Sequence, residues 1–150
     1  MLLPSFSSER KTALVEGARR RRNVFASRNM AYDTWCGRGI FAGWDHAVLS
    51  AYLHFGLLDH EDEVRLACAP ETEATIFDVN WHEDMRAIVG AIVAPGLVLH
   101  AKAGHFRRAL HEELAGLAPG LELRDHDGTH FFPMADPLAT ANLVLEQLNG

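Results

Sequence analysis

The sequence predicts an α/β fold in which a mostly helical segment, residues 1–94, precedes a strand-helix-strand-helix unit, residues 95–150. Two short apolar runs, residues 97–101 and 121–125, are bounded by turn residues and followed by helical patterns. Strands that alternate with helices in this way pair in parallel through right-handed crossovers. The length of 150 residues and the 48% apolar content fit one soluble domain with a substantial core.

The first segment is expected to begin with a long surface helix. Ser7 or Ser8 can cap this helix, which should run through the basic stretch Arg19–Arg22 and break near residues 27–29. Because the net charge is −6, we interpret the arginines as a solvated helix face that pairs with acidic groups. A phosphate or nucleic-acid patch is the less favoured alternative.

The rest of this segment is predicted to hold one short strand among helices. Asp45 is the expected N-cap of a helix that Gly56 ends. Residues 63–68 alternate apolar and polar side chains, which favours a strand. A helix that begins with a proline should follow over residues 70–77, and residues 81–92 are also helical in pattern.

The second segment is predicted to contain two strands and two helices. Residues 97–101 form the kind of apolar run that is typical of a strand buried on both faces. A stripe at helical spacing predicts the next helix, and its members are Phe106, Leu110, Leu114 and Leu117. Residues 121–125 form the second strand, and Asp136 with Pro137 begins the last helix.

Charge and cysteine content argue against several classes of function. The net charge of −6 and the pI near 5.8 disfavour nucleic acid and anionic membranes as partners. Cys36 and Cys68 lack CxxC spacing, which argues against a disulfide framework and favours the cytoplasm. The first residues do not have the pattern of a signal peptide, and no apolar run approaches the ~18 residues of a membrane helix. No cofactor is expected.

The turn after the second strand carries the main candidate for chemistry. It has the sequence DGTHFFPMADP over residues 127–137, with His130 ahead of the last helix. An imidazole, with an ordinary pKa of about 6.5, can take a proton from a serine hydroxyl if it lies at the carboxyl end of a strand beside that nucleophile. The alternative is a half-buried turn histidine whose nitrogens bond to the backbone.

Three stretches of the chain resemble the C-terminal half of the α/β-hydrolase family, in particular its esterase-like members. They are residues 95–100, residues 117–122, and residues 128–134 with the following Asp136-Pro137. The resemblance implies a partial α/β-hydrolase fold in which residues 1–94 form a helical cap. It also implies a carboxylic ester hydrolase that acts on a small acyl or ester substrate, with His130 as the inherited catalytic base.

The sequence departs from that family at the other catalytic positions. No Gly-x-Ser-x-Gly nucleophile elbow is present, and the five serines are Ser5, Ser7, Ser8, Ser27 and Ser50. Residues 101–105, where the family most often has its acid, contain no Asp or Glu. Asp125 and Asp127 lie on the same turn as His130, from which a side chain seldom reaches the far imidazole nitrogen. We therefore expect a truncated hydrolase without the nucleophile, and we disfavour independent activity of the chain without deciding it.

Two other functions are left open by the sequence. One is a non-catalytic interaction module, a split or degenerate hydrolase half, because an open parallel edge invites pairing with a second copy or with a polypeptide that supplies the missing strands. The other is a metal-binding protein, suggested by nine histidines. None of these histidines has His-Glu-x-x-His spacing, so no metal site is predicted.

Overall fold

The structure, a computed structural model, describes residues 8–78 and 85–149. Within these residues the chain divides into two compact units, residues 8–78 and residues 85–149. The helix Met85–Gly90, which the sequence placed in the first segment, belongs to the second unit. The role of residues 1–94 as a cap stays a prediction.

The first unit combines helices with a small antiparallel sheet. Its elements are α1 (Ser8–Arg19), β1 (Val24–Phe25), α2 (Arg28–Trp35), a single 3-10 turn (Gly39–Phe41), α3 (His46–Gly56), β2 (Leu57–His60), β3 (Glu63–Leu66) and α4 (Pro70–Asp78). The sheet has the strand order β1-β3-β2. The prediction of one strand in this region is wrong, because β1 and β2 flank the predicted strand β3 and pair with it.

Two side-chain caps define where the helices α2 and α3 begin. The Asp45 carboxylate accepts hydrogen bonds from the backbone nitrogens of Ala47 (2.8 Å) and Val48 (3.2 Å), as the sequence predicted. Ser27 Oγ accepts from Met30 N at 3.2 Å and so begins α2, a helix that the sequence did not predict. Both caps satisfy backbone donors that have no partner inside the helix.

The core of the first unit lies between the sheet and the helices α2 and α3. Phe25, Leu49 and Leu57 are its largest fully buried side chains. Trp35 stacks on Phe41 with ring centroids 5.1 Å apart, and Phe25 meets Trp35 edge-on at 4.9 Å. Aromatic packing therefore holds the sheet against the helices.

The arginine run pairs with acidic side chains of α4. Arg21 reaches Glu73 at 3.0 Å and the Tyr52 hydroxyl at 2.7 Å, while Arg19 reaches Glu71 at 3.2 Å. The predicted pairing with acidic groups is therefore confirmed for Arg19 and Arg21, whereas the expectation of a helix face is wrong for Arg20–Arg22, which follow the end of α1. The predicted length of α1 is wrong, since this helix ends at Arg19 and the chain turns into β1.

The second unit contains a parallel pair of strands with helices after each. Its elements are α5 (Met85–Gly90), β4 (Gly96–Ala101), α6 (Arg108–Ala115), β5 (Leu121–His126), α7 (Phe132–Ala135) and α8 (Pro137–Asn149). Strands β4 and β5 pair in parallel from Gly96↔Leu121 to Ala101↔His126. Asp136 Oδ1 accepts from Ala139 N at 2.9 Å and caps α8. The predicted strand-helix-strand-helix order and the parallel pairing are confirmed.

Some predictions fall partly on residues outside the described ranges. Ser7, and residues 81–84 of the helix predicted over 81–92, lie there. In the ranges 8–78 and 85–149, no helix has the length and apolar character needed to cross a bilayer.

Candidate functional site

The carboxyl ends of β4 and β5 bring two turns together. Hydrogen bonds continue past the strands, from Lys102 N to His126 O and from Ala103 N to Gly128 O, both 2.9 Å. Gly128 has a φ of +113°, a conformation that glycine adopts at little cost. The turn after β4 and the turn after β5 are therefore fixed against each other.

Gly104 lies in the turn after β4, beside the backbone of His130. A Cβ atom at this position would lie 2.9 Å from the Ala101 carbonyl oxygen and 3.6 Å from the backbone nitrogen of His130. A real side chain does not tolerate the first of these distances without a shift of the backbone. Glycine at position 104 therefore lets the turn after β4 close tightly on Ala101 beside the backbone of His130.

The turn that carries His130 is closed by Thr129. Phe131 N donates to Thr129 Oγ1 at 3.2 Å, and Phe132 N donates to the Thr129 carbonyl at 3.0 Å. The half-buried His130 follows Thr129 and precedes α7. Its ring neighbours include Phe131, with centroids 4.1 Å apart, and His105, at 4.9 Å.

A small pocket of about 160 Å³ opens beside His130. Its lining combines apolar side chains with two histidines and comprises Leu99, Ala101, Gly104, Phe106, His111, His130 and Phe132. The sequence pattern did not point to His105 or His111 as neighbours of this site. For His105 a signal was present, because it lies in the turn after β4 and the carboxyl ends of parallel neighbours meet at one sheet edge.

The two acidic residues next to His130 in sequence are engaged by other groups. Asp125 accepts from His100 Nδ1 at 2.9 Å and from Arg108 Nε at 3.2 Å. The hydrogen bond from His100, together with Arg108, holds the pKa of Asp125 below its usual value. Asp127 pairs with Lys102 at 2.8 Å, and this contact lowers the pKa of Asp127.

The pair of His100 and Asp125 is a feature that the sequence analysis missed. His100 is buried, and it faces Asp125 because the two residues are register partners in the parallel ladder. The His111 ring lies 4.9 Å from the His100 ring. Each residue is the last but one of its strand, a correspondence that only the observed strand ends and register reveal.

The two serines whose side chains the structure describes have structural roles. Ser27 is the cap of α2, and the Ser50 hydroxyl donates to the His46 carbonyl within α3 at 2.8 Å. No Gly-x-Ser-x-Gly segment occurs in the sequence. Among residues 8–78 and 85–149, no group of three or more His, Cys, Asp or Glu side chains is arranged to hold a metal ion.

Solved structures of hydrolases share the fold of this chain. The crystal structure of E-2-(acetamidomethylene)succinate hydrolase matches 99% of the chain with a TM-score of 0.75 and 14% identity. The peroxisomal alpha-beta-hydrolase Lpx1 from Saccharomyces cerevisiae matches 99% with a TM-score of 0.69 and 12% identity. The enol-lactonase from Burkholderia xenovorans matches 95% with a TM-score of 0.57 and 18% identity.

These likenesses show the fold. The matched regions make up 55%, 42% and 51% of the three solved chains, so this chain spans about half of their length. No family model and no curated protein matches the sequence. The 150 residues have a partial α/β-hydrolase fold, as the resemblance implied.

Proposed function

We propose that this chain, with its partial α/β-hydrolase fold, is the base-bearing part of a carboxylic ester hydrolase and that His130 is the general base. One observation carries the proposal. His130 lies in the turn after the second parallel strand, lines the pocket at the carboxyl ends of β4 and β5, and contacts the turn after β4. In open parallel sheets this end of the strands is where ligands bind.

The nucleophile in this proposal comes from polypeptide outside the 150 residues, because these contain no Gly-x-Ser-x-Gly elbow. His130 takes the proton of the attacking hydroxyl while the oxygen forms a bond to the ester carbonyl carbon. The imidazolium then returns the proton to the leaving alkoxide as the bond between that oxygen and the carbonyl carbon breaks. His130 next takes a proton from a water molecule that attacks the acylated hydroxyl and releases the acid. A positioned base of this kind contributes about 10² to 10⁴-fold to the rate.

The pocket supports a short acyl group as the substrate class. Its volume of about 160 Å³ and the apolar side chains in its lining, Leu99, Phe106 and Phe132, suit a small acyl chain. One of the similar structures is an enol-lactonase, an enzyme named for a cyclic ester. We therefore place esters and lactones ahead of other acyl compounds.

Docking of the polypeptide that carries the nucleophile is supported by the surface of the second unit. Within the described residues, β4 and β5 form a sheet of two strands, fewer than a stable sheet usually has. Four large apolar side chains of α8 are more than half exposed, namely Leu138, Val144, Leu145 and Leu148. We place the protein in the cytoplasm, which its two free cysteines support.

The proposal is tested by hydrolysis of p-nitrophenyl acetate by the purified chain and by its His130→Ala variant. We expect a low rate for the chain alone, because an imidazole without a serine can only activate water or attack the ester itself. His130→Ala should lower this rate, whereas His54→Ala, at an exposed histidine of α3, should leave it unchanged. Equal rates for the chain and for His130→Ala would contradict a role for His130.

A further inference from the structure

A second cluster of reactive side chains lies where α2 ends and α3 begins. Cys36 is the C-cap residue of α2, Tyr32 lies one turn earlier on that helix, and His46 is the first residue of α3. The Cys36 sulfur is 3.7 Å from His46 Nδ1, and the Tyr32 hydroxyl hydrogen-bonds to the same nitrogen. The Cys36 sulfur and the Tyr32 hydroxyl therefore both contact His46 Nδ1.

Packing and capping fix this geometry. Cys36 N donates to the Tyr32 carbonyl at 2.8 Å, and Asp45 caps the helix that carries His46. Cys36 and Tyr32 pack against the aromatic core, whereas His46 is exposed. The sulfur is thus held in place on its core side, while the imidazole can exchange protons with water.

The neighbours of Cys36 are suited to activate a thiol. A thiolate is the nucleophilic form of cysteine, and an adjacent imidazole can accept the thiol proton. The hydrogen bond with Cys36 raises the pKa of the Tyr32 phenol, so this hydroxyl stays protonated. When His46 Nδ1 carries a proton, it donates to the Tyr32 oxygen, and the Tyr32 hydroxyl can then donate to the Cys36 sulfur. Cys68 has no such arrangement, because the partner of its sulfur is the Ala69 carbonyl at 3.9 Å, which cannot accept the proton as a base.

We propose that Cys36 is a nucleophilic thiol, with His46 as its base and Tyr32 as a donor to the sulfur, and that it forms mixed disulfides with small disulfides. The Tyr32 hydroxyl passes its proton to His46 Nδ1 and receives the thiol proton in its place, as the Cys36 sulfur attacks one sulfur of the disulfide. The bond between the two disulfide sulfurs breaks, and the departing thiolate takes the proton from His46. The disulfide is the oxidant, since Cys36 is oxidised to the mixed disulfide and one sulfur leaves as a thiol.

This site is separate from the function proposed for His130, and its test uses the full chain. The reduced protein is exposed to excess oxidised glutathione, and the modification rate of each cysteine is measured by peptide mass mapping. We expect Cys36 to react about tenfold faster than Cys68, although Cys68 is the more exposed of the two. Cys68→Ser should leave the rate at Cys36 unchanged.

Variants of the base and the donor complete the test. His46→Asn should lower the rate at Cys36 to that of Cys68, and Tyr32→Phe should lower it about threefold through loss of one hydrogen bond. Partial unfolding of a variant cannot explain a lower rate at Cys36, because unfolding would expose this half-buried cysteine and speed its reaction. A rate at Cys36 no higher than at Cys68, or one that His46→Asn leaves unchanged, would overturn the proposal.

Discussion

Replacement of Gly104 by alanine tests whether the close approach of the two turns positions His130. The new Cβ would meet the Ala101 carbonyl oxygen at 2.9 Å, so the turn after β4 must move by several tenths of an ångström. Overpacking of this kind costs about 1–3 kcal/mol. Because the backbone nitrogen of His130 is 3.6 Å from the same Cβ, the displacement should reach the turn that carries His130.

The same chemical change at Gly17 is the matched control. Gly17 lies inside α1, and a Cβ there would have no atom within 4 Å. An alanine at this position restricts the unfolded chain and should stabilise the helix by about 0.5–1 kcal/mol. The two variants are therefore predicted to change stability in opposite directions.

Amide hydrogen exchange measured by mass spectrometry separates the two effects by location. Gly104→Ala should speed exchange in peptides that cover β4, β5 and residues 127–132, and Gly17→Ala should slow exchange in α1. If β4 and β5 exchange as slowly in Gly104→Ala as in the unchanged chain, the role given to Gly104 is refuted.

Three further predictions concern the core, a cap and pH. Leu57→Ala removes a side chain that is 2% exposed and should lower the free energy of unfolding by about 3 kcal/mol. Leu58→Ala removes a side chain that is 57% exposed and should change the same free energy by less than about 0.5 kcal/mol. Urea unfolding, followed by tryptophan fluorescence, measures both values. Asp45→Ala removes the cap of α3 and should cost about 1 kcal/mol in the same assay, with Asp45→Asn close to the unchanged chain. The pKa of Asp125 is lowered in the folded state, so the stability it contributes is present above its unfolded pKa of about 3.9 and is lost as pH falls through the lowered value. The expected result is that acidification lowers the protection of the β5 amides, measured against the intrinsic exchange rate at each pH, and that this loss is absent in Asp125→Asn. The same pH dependence of protection in both proteins would contradict it.

Local signals in the sequence were enough to predict much of the second unit. The short apolar run that became β4 and the Asp136 cap of α8 each depend on neighbouring residues alone. The parallel pairing followed from the alternation of strands and helices, because a helix that crosses over between two strands returns the chain to the same end of the sheet. The position of His130 after β5 was predictable for the same reason.

Features that depend on distant residues could not be predicted. The helix α1 ends at Arg19 because the chain must reach the sheet, where Leu66 N donates to the Asn23 carbonyl at 2.9 Å. The strand β2 directly follows α3, and only its pairing with β3 makes Leu57–His60 a strand. The contact of His100 with Asp125 needs the register of the ladder, which no local pattern specifies.

The role of His130 as a base is tested most directly by supplying the missing nucleophile as a small alcohol. Ethanol added to the chain and p-nitrophenyl acetate should yield ethyl acetate, as His130 takes the hydroxyl proton. The Cys36→Ala background removes acylation of the thiol from this measurement. We expect the ethanol-dependent rate to fall about tenfold in His130→Ala and to stay unchanged in His54→Ala. The expected loss is smaller than the usual contribution of a general base because the protein does not hold ethanol in a fixed position. The same dependence on ethanol with and without the His130 imidazole would contradict the account.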